Sequence, residues 1–147
     1  MSHSEIAQIA HQEHFNCAQS VLSAYASELG LARDPALKIA TGFGGGMGRL
    51  AATCGTVTGA FMVLGLKYGM VDGANQADKE KTYALVQEFA RQFKARCGAL
   101  ECRDLLGCDL NTPEGWQTAR DEQLFTTRCP HFIQAATEIL DQLLESA

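Results

Sequence analysis

Apolar residues recur at helical spacing along most of the chain, and a convincing period-two alternation appears nowhere. From about Ser4 to Leu29, the residues Ile6, Ile9, Ala10, Cys17, Val21, Ala24 and Tyr25 fall on one stripe. That spacing predicts a single long helix stopped at Gly30. Asp34-Pro35 then reads as a start signal, with Asp34 as N-cap and Pro35 at the first helical position. The helix it opens must be short, because Gly42, Gly44, Gly45, Gly46 and Gly48 follow closely. Further helices are predicted over about Ala51–Tyr68, ended by Gly69, and over about Asn75–Arg96, with Tyr83, Val86, Phe89, Ala90 and Phe93 on one face. Cys102 to Leu106 forms a single turn closed by Gly107. Thr112-Pro113-Glu114 opens a helix running to about Phe125, and Cys129-Pro130 opens the last, which turns Ile133, Ala136, Leu140, Leu143 and Leu144 inward.

The expected architecture is all-α, a helical bundle of about five to six helices forming a single domain over residues 1–147. The short spans between helices leave no room for a linker. A chain of this length can bury a core without disulfide staples, and its 46% apolar and 20% charged residues are ordinary for a globular protein.

Charge narrows the function classes. The formal net charge is -5 and no basic run occurs, which argues against a phosphate-binding surface for nucleic acid. The segment Met1–Ala10 has no apolar signal core, and the longest apolar stretch, Thr56 to Leu66, is too short to span a bilayer. A cytoplasmic protein without membrane association is expected. No G-x-S-x-G occurs, and the carboxylates are spread over solvated helix faces, so neither a serine triad nor paired acid-base carboxylates are indicated.

Six cysteines are the anomaly. In a cytosolic chain of this size they point to metal binding or redox work rather than to structural disulfides. The alternative is that they are small buried hydrophobes. Successive intervals of 37, 43, 5, 6 and 21 residues contain no Cys-x-x-Cys, which removes the thioredoxin-type motif and the paired knuckles of zinc ribbons. Any site must therefore be assembled from distant cysteines. Cys54, Cys102 and Cys129 all sit at predicted helix starts, where a thiolate is stabilised, and Arg103 and Arg128 adjoin two of them. Lowered thiol pKa values are expected there. Cys17 is placed in mid-helix, three residues after His14, which is a candidate metal ligand or base, while His3 and His11 read as surface residues.

The glycine stretch Thr41–Arg49, TGFGGGMGR, matches neither G-x-G-x-x-G nor a Walker loop. Placed just before Cys54, Gly44, Gly45, Gly46 and Gly48 could cradle a thiolate, a bound anion or cluster sulfides with free amides. Equally, the loop could be a tight turn between closely crossing helices. Phe43 and Met47 are the apolar residues expected to line a site, Trp116 and Phe125 are expected in the core, and Gly55, Gly59 and Gly65 favour a close helix crossing.

Four stretches, in order, resemble the family of redox-active proteins named for its C_GCAxxG_C_C pattern. They are Phe15-Asn16-Cys17-Ala18, the glycine loop leading to Cys54-Gly55-Thr56-Val57-Thr58-Gly59-Ala60, Cys102 to Gly107, and Cys129 before the last helix. One departure is that the central motif reads CGTVTG, with cysteine and glycine transposed. The resemblance implies a small cysteine-based redox protein, of a family found mainly in anaerobes, with Cys17, Cys54, Cys102 and Cys129 as its working residues. Three readings stay open: thiol-disulfide exchange with a protein redox partner, an iron-sulfur cluster or zinc held by the same four cysteines, and a non-catalytic interaction bundle. Cys97 and Cys108 lie outside the pattern, and a homodimer is plausible.

Overall fold

The computed structural model describes residues 1–146. Eight helices follow one another: α1 (His3–Gln12), α2 (Cys17–Ala26), α3 (Arg33–Ala40), α4 (Gly55–Tyr68), α5 (Gln76–Cys97), α6 (Cys102–Leu106), α7 (Pro113–Asp121) and α8 (Cys129–Ser146). Among the described residues no strand forms; one isolated antiparallel bridge joins Thr53 to Glu101. The all-α class stands, with somewhat more helices than expected.

The expected long helix over residues 4–29 is instead a hairpin of two helices. α1 opens on a capping box, in which the Ser2 hydroxyl accepts from the Glu5 N–H and the Glu5 carboxylate accepts from the Ser2 N–H. It closes with the Phe15 N–H bonded to the Ala10 carbonyl and the His14 N–H to the His11 carbonyl, with His14 left-handed at φ 77. That is the Schellman pattern. Asn16 then opens α2 with a second capping box, exchanging hydrogen bonds with Gln19 at 2.9 and 3.0 Å. Two strong local caps outweigh a hydrophobic stripe that continues across them.

Other boundaries move for similar reasons. α3 begins at Arg33 with Ala32 as its cap, which places Asp34 inside the first turn rather than at the N-cap. α4 begins at Gly55, not near Ala51, because residues 52 to 54 pair through the backbone with residues 100 to 102. α7 stops at Asp121, and left-handed Gln123 leads into a separate helical turn, Leu124–Thr127.

α2 is the central helix, burying Ala18, Val21, Leu22, Ala24, Tyr25 and Ala26. α4 crosses it at backbone distance. A Cβ on Gly55 would lie 2.9 Å from the Ala18 nitrogen, and one on Gly59 would lie 3.0 Å from the Ala18 carbonyl oxygen. Gly65 faces open space, so the close crossing uses only the first two of the three glycines. α8 packs Phe132, Ile133, Ala136, Ile139 and Leu140 into the same core. α5 covers α4 and α8 through Phe89 and Phe93, and a run of aromatic contacts joins Phe61, Phe89, Phe93 and Phe132.

The directions of these helices decide where the cysteines gather. At one end the starts of α2, α4 and α8 meet; at the other, Tyr25 bonds Asp141 at 2.8 Å and Tyr68 reaches the Leu144 carbonyl. The three therefore run parallel, and α1 runs back against them, with His11 at the cysteine end and His3 at the Asp141 end.

The contrast between two glycines tests this packing. Gly59→Val should destabilise the protein by about 1–3 kcal/mol in urea unfolding, because the added atoms meet the α2 backbone. Gly65→Ala should be neutral or stabilising by roughly 0.5–1 kcal/mol, since a helical position with open space loses only backbone entropy in the unfolded chain. Equal effects at both positions would refute the crossing.

Candidate functional site

Cys17 is not in mid-helix. It is the first residue of α2, immediately after the Asn16 cap. Asn16 is itself pinned, donating from its side chain to the Thr41 carbonyl at 3.0 Å and lying so close to Gly44 that a Cβ there would sit 2.6 Å from it. All four cysteines of the expected site thus occupy helix starts: Cys54 caps α4, and Cys17, Cys102 and Cys129 open α2, α6 and α8.

Cys54 and Cys102 are held side by side through the backbone. The Cys54 N–H donates to the Leu100 carbonyl at 2.8 Å, and the Cys102 N–H donates to the Ala52 carbonyl at 2.6 Å. The glycine loop locks onto this pair. Its carbonyls at Gly44, Gly45 and Gly46 accept from the N–H groups of Arg49, Ala51 and Ala52 at 3.0–3.2 Å. Gly46 has φ +70, and a Cβ on it would lie 2.7 Å from the Cys102 Cβ. Only glycine fits there. The left-handed conformation extends from Gly45 through Arg49 and returns at Ala51, taking in Met47, Arg49 and Ala51, which have side chains. Each of those three costs on the order of 1–2 kcal/mol.

The four cysteines share a cavity of about 820 Å³, into which Gly44, Gly45, Gly46 and Gly48 also face. Phe43 and Met47 do not line it. Instead, Arg49 lies over the Trp116 ring at 3.9 Å, the Trp116 and Phe125 rings meet at a tilt with centroids 5.7 Å apart, and all three border the space. Trp116 and Phe125 are therefore cavity-wall residues rather than core alone. Cys97, at the end of α5, and Cys108, beyond α6, stay outside it, and all six cysteines are free thiols.

The tightest grouping includes a residue that the sequence pattern placed on the surface. A ring nitrogen of His11 and the sulfurs of Cys17 and Cys129 lie within 4.8 Å of one another. Cys54 and Cys102 fall outside that group, and so does His14, whose left-handed backbone serves the α1 end. A signal for His11 existed: it follows Ala7 by four residues, and Ala7 and Ala10 are the buried face of α1. Burial lowers the His11 pKa, favouring the neutral ring. His3 is not a plain surface residue either, since it stacks on Tyr25 and bonds Asp141 at 2.8 Å.

Burial, not helix-end stabilisation, decides most of the thiol electrostatics. Cys54 is pushed up to about 11 by desolvation, against the opposing hydrogen bond with Thr56 at 3.1 Å and the first amides of α4. Desolvation pushes Cys102 up to about 12, assisted by Cys54, Cys129 and Cys108. The expected lowering at these two positions does not occur. Neighbouring arginines help little: Arg103 lowers Cys102 by less than burial raises it, and the guanidiniums of Arg103 and Arg128 bond the Ala51 and Leu105 carbonyls, both at 3.0 Å. Cys129 alone is shifted down, by a hydrogen bond from the Cys17 thiol, and Cys17 is raised correspondingly.

A protein-family model described as "Putative redox-active protein (C_GCAxxG_C_C)" matches residues 15–143. Neither the curated proteins nor the solved structures contain a match to the chain.

These shifts fix an order of reactivity. In reduced, metal-free protein near neutral pH, iodoacetamide should label Cys129 before Cys54 and Cys102, as read by peptide mass spectrometry. The rates at Cys54 and Cys102 should then climb about tenfold per pH unit well into the alkaline range, as their thiolates form. Comparable neutral-pH rates at all three would contradict the burial argument.

Proposed function

The chain belongs to this redox-active family, and on that premise we propose that it performs thiol-disulfide exchange, with Cys129 attacking and Cys17 resolving. The observation that carries the reading is the approach of these two sulfurs, within 4.8 Å, at the starts of two parallel helices on the wall of an open cavity. Distance in sequence is then no obstacle, since the fold assembles the couple that a Cys-x-x-Cys motif would supply locally.

The steps balance as a two-electron reduction of the partner. The Cys129 thiolate attacks one sulfur of a partner disulfide, the partner's S–S bond breaks, and its second sulfur leaves and takes up a proton. A mixed disulfide joins Cys129 to the partner. Cys17 gives up its proton and attacks the Cys129 sulfur, forming the Cys17–Cys129 disulfide and releasing the second partner thiol. Two electrons and two protons pass from the couple to the partner. Cys54 and Cys102 complete the four-cysteine site as thiols that stay protonated, while the glycine loop bounds the space the partner disulfide enters. No helix among the described residues is long and apolar enough to cross a membrane. The reading is of a cytoplasmic protein with a protein disulfide as partner. An iron-sulfur cluster on all four cysteines is a second reading, supported by their sharing one cavity, whereas a single zinc ion on the four has less support, because Cys54 and Cys102 are not among the donors within 4.8 Å of one another.

Trapping the mixed disulfide tests the couple. With oxidised glutathione, Cys17→Ser should accumulate a glutathione adduct on Cys129, whereas the wild type should pass on to the intramolecular disulfide. Cys129→Ser should form no adduct in the cavity. Exchange by Cys129→Ser at the wild-type rate, or adducts confined to Cys97 and Cys108, would sink the assignment.

A further inference from the structure

We infer that the reduced protein holds one zinc-class divalent ion through His11, Cys17 and Cys129, and that oxidation of the cysteine couple releases it. His11 has no part in thiol-disulfide exchange by Cys129 and Cys17, yet its ring nitrogen meets both sulfurs within 4.8 Å. Zn–S bonds of about 2.3 Å and Zn–N bonds of about 2.0 Å set tetrahedral ligand separations of roughly 3.5–3.8 Å. Contraction by about an ångström therefore suffices.

The donor set selects the ion. Two sulfurs and one imidazole, with no carboxylate in the group, suit zinc and its borderline-soft relatives and are wrong for magnesium or calcium. Each ligand comes from a different helix, α1, α2 and α8, so the ion would tie the hairpin of α1 and α2 to the final helix at the cysteine end. Three protein ligands leave a fourth position, which opens toward the cavity that also contains Cys54 and Cys102.

The redox link rests on the exchange reading; the metal site itself does not. Two thiolates that bind an ion cannot at the same time be joined as a disulfide. When a disulfide oxidises the couple, the two thiolates lose two electrons and form the Cys17–Cys129 bond. The oxidant takes those electrons and two protons to become two thiols, and the divalent ion leaves unchanged in charge.

Cobalt titration of the reduced full-length chain without oxygen tests the site, read through thiolate-to-cobalt charge transfer and tetrahedral visible bands. One Co²⁺ per chain is expected, displaced by Zn²⁺ and expelled on adding oxidised glutathione. His11→Ala should weaken binding by more than the 10–100-fold typical of losing an outer-shell partner. His11→Gln provides a second variant, and circular dichroism checks that both fold. Absence of cobalt binding to the reduced wild type overturns the inference. Undiminished binding in both His11 variants with loss in Cys54→Ser and Cys102→Ser overturns it too, and assigns the ion to the four cysteines. Cobalt retained after the couple has become a disulfide overturns the release. Glutathione trapping on the metal-free wild type reads the exchange reaction separately: adduct formation there survives failure of the metal site, and its absence with cobalt still bound to the reduced chain counts against exchange alone.

Discussion

The contact on which the rest of this structure depends is the crossing of α4 over α2, where Gly55 and Gly59 press against the backbone of Ala18. Helices that carry side chains at their contact stand about 8–10 Å apart. Two glycines facing an alanine let the axes come closer and bring the first turns of both helices to one level. Cys17 opens one of those turns and Cys54 caps the other. Because the helices run parallel, their starts meet at one end, and α8 joins them in the same direction with Cys129 at its start. A one-turn slip of α4 along α2 would carry Cys54 roughly 5 Å away and dissolve the cluster.

Converging four helix N-termini on four thiols sets two electrostatic effects against each other. Helix ends favour thiolates by about 0.3–1 kcal/mol, rising to roughly 2 kcal/mol in the best cases. Desolvation and mutual repulsion of several buried sulfurs oppose this, and at Cys54 and Cys102 they prevail. Cys129 escapes because the Cys17 thiol hydrogen-bonds its sulfur. The site is therefore asymmetric, with one sulfur disposed to ionise and three held protonated. That asymmetry follows from packing around residues of identical chemistry.

The glycine loop gives the cluster its rigidity, and at a conformational cost. A left-handed run that includes Met47, Arg49 and Ala51 stores strain, yet it survives because three loop carbonyls and the bridge at Thr53 and Glu101 overdetermine it. Strain of this kind belongs beside a reactive group, where a fixed backbone matters more than an easy one. The far end of the bundle uses ordinary means instead, with His3, Tyr25 and Asp141 tying α1, α2 and α8 through hydrogen bonds between side chains.

Local interactions were legible in the sequence. The helix from about Asn75 to Arg96, the turn from Cys102 to Gly107, and the starts at Thr112-Pro113 and Cys129-Pro130 all follow from periodicity, caps and breakers that act within a few residues. The two capping boxes, Ser2 with Glu5 and Asn16 with Gln19, were equally readable, and the second marks the break hidden by the apolar stripe. Membership of the four cysteines in one group came from their ordered motifs. Only the tertiary structure decided that His11 joins Cys17 and Cys129, that Trp116 and Arg49 wall the cavity, and that Cys54 and Cys102 resist ionisation. Caps and periodicity are short-range and written in neighbouring residues. Desolvation, and the meeting of groups on α1, α2 and α8, sum over contacts between segments far apart in the chain, and no local pattern encodes that sum.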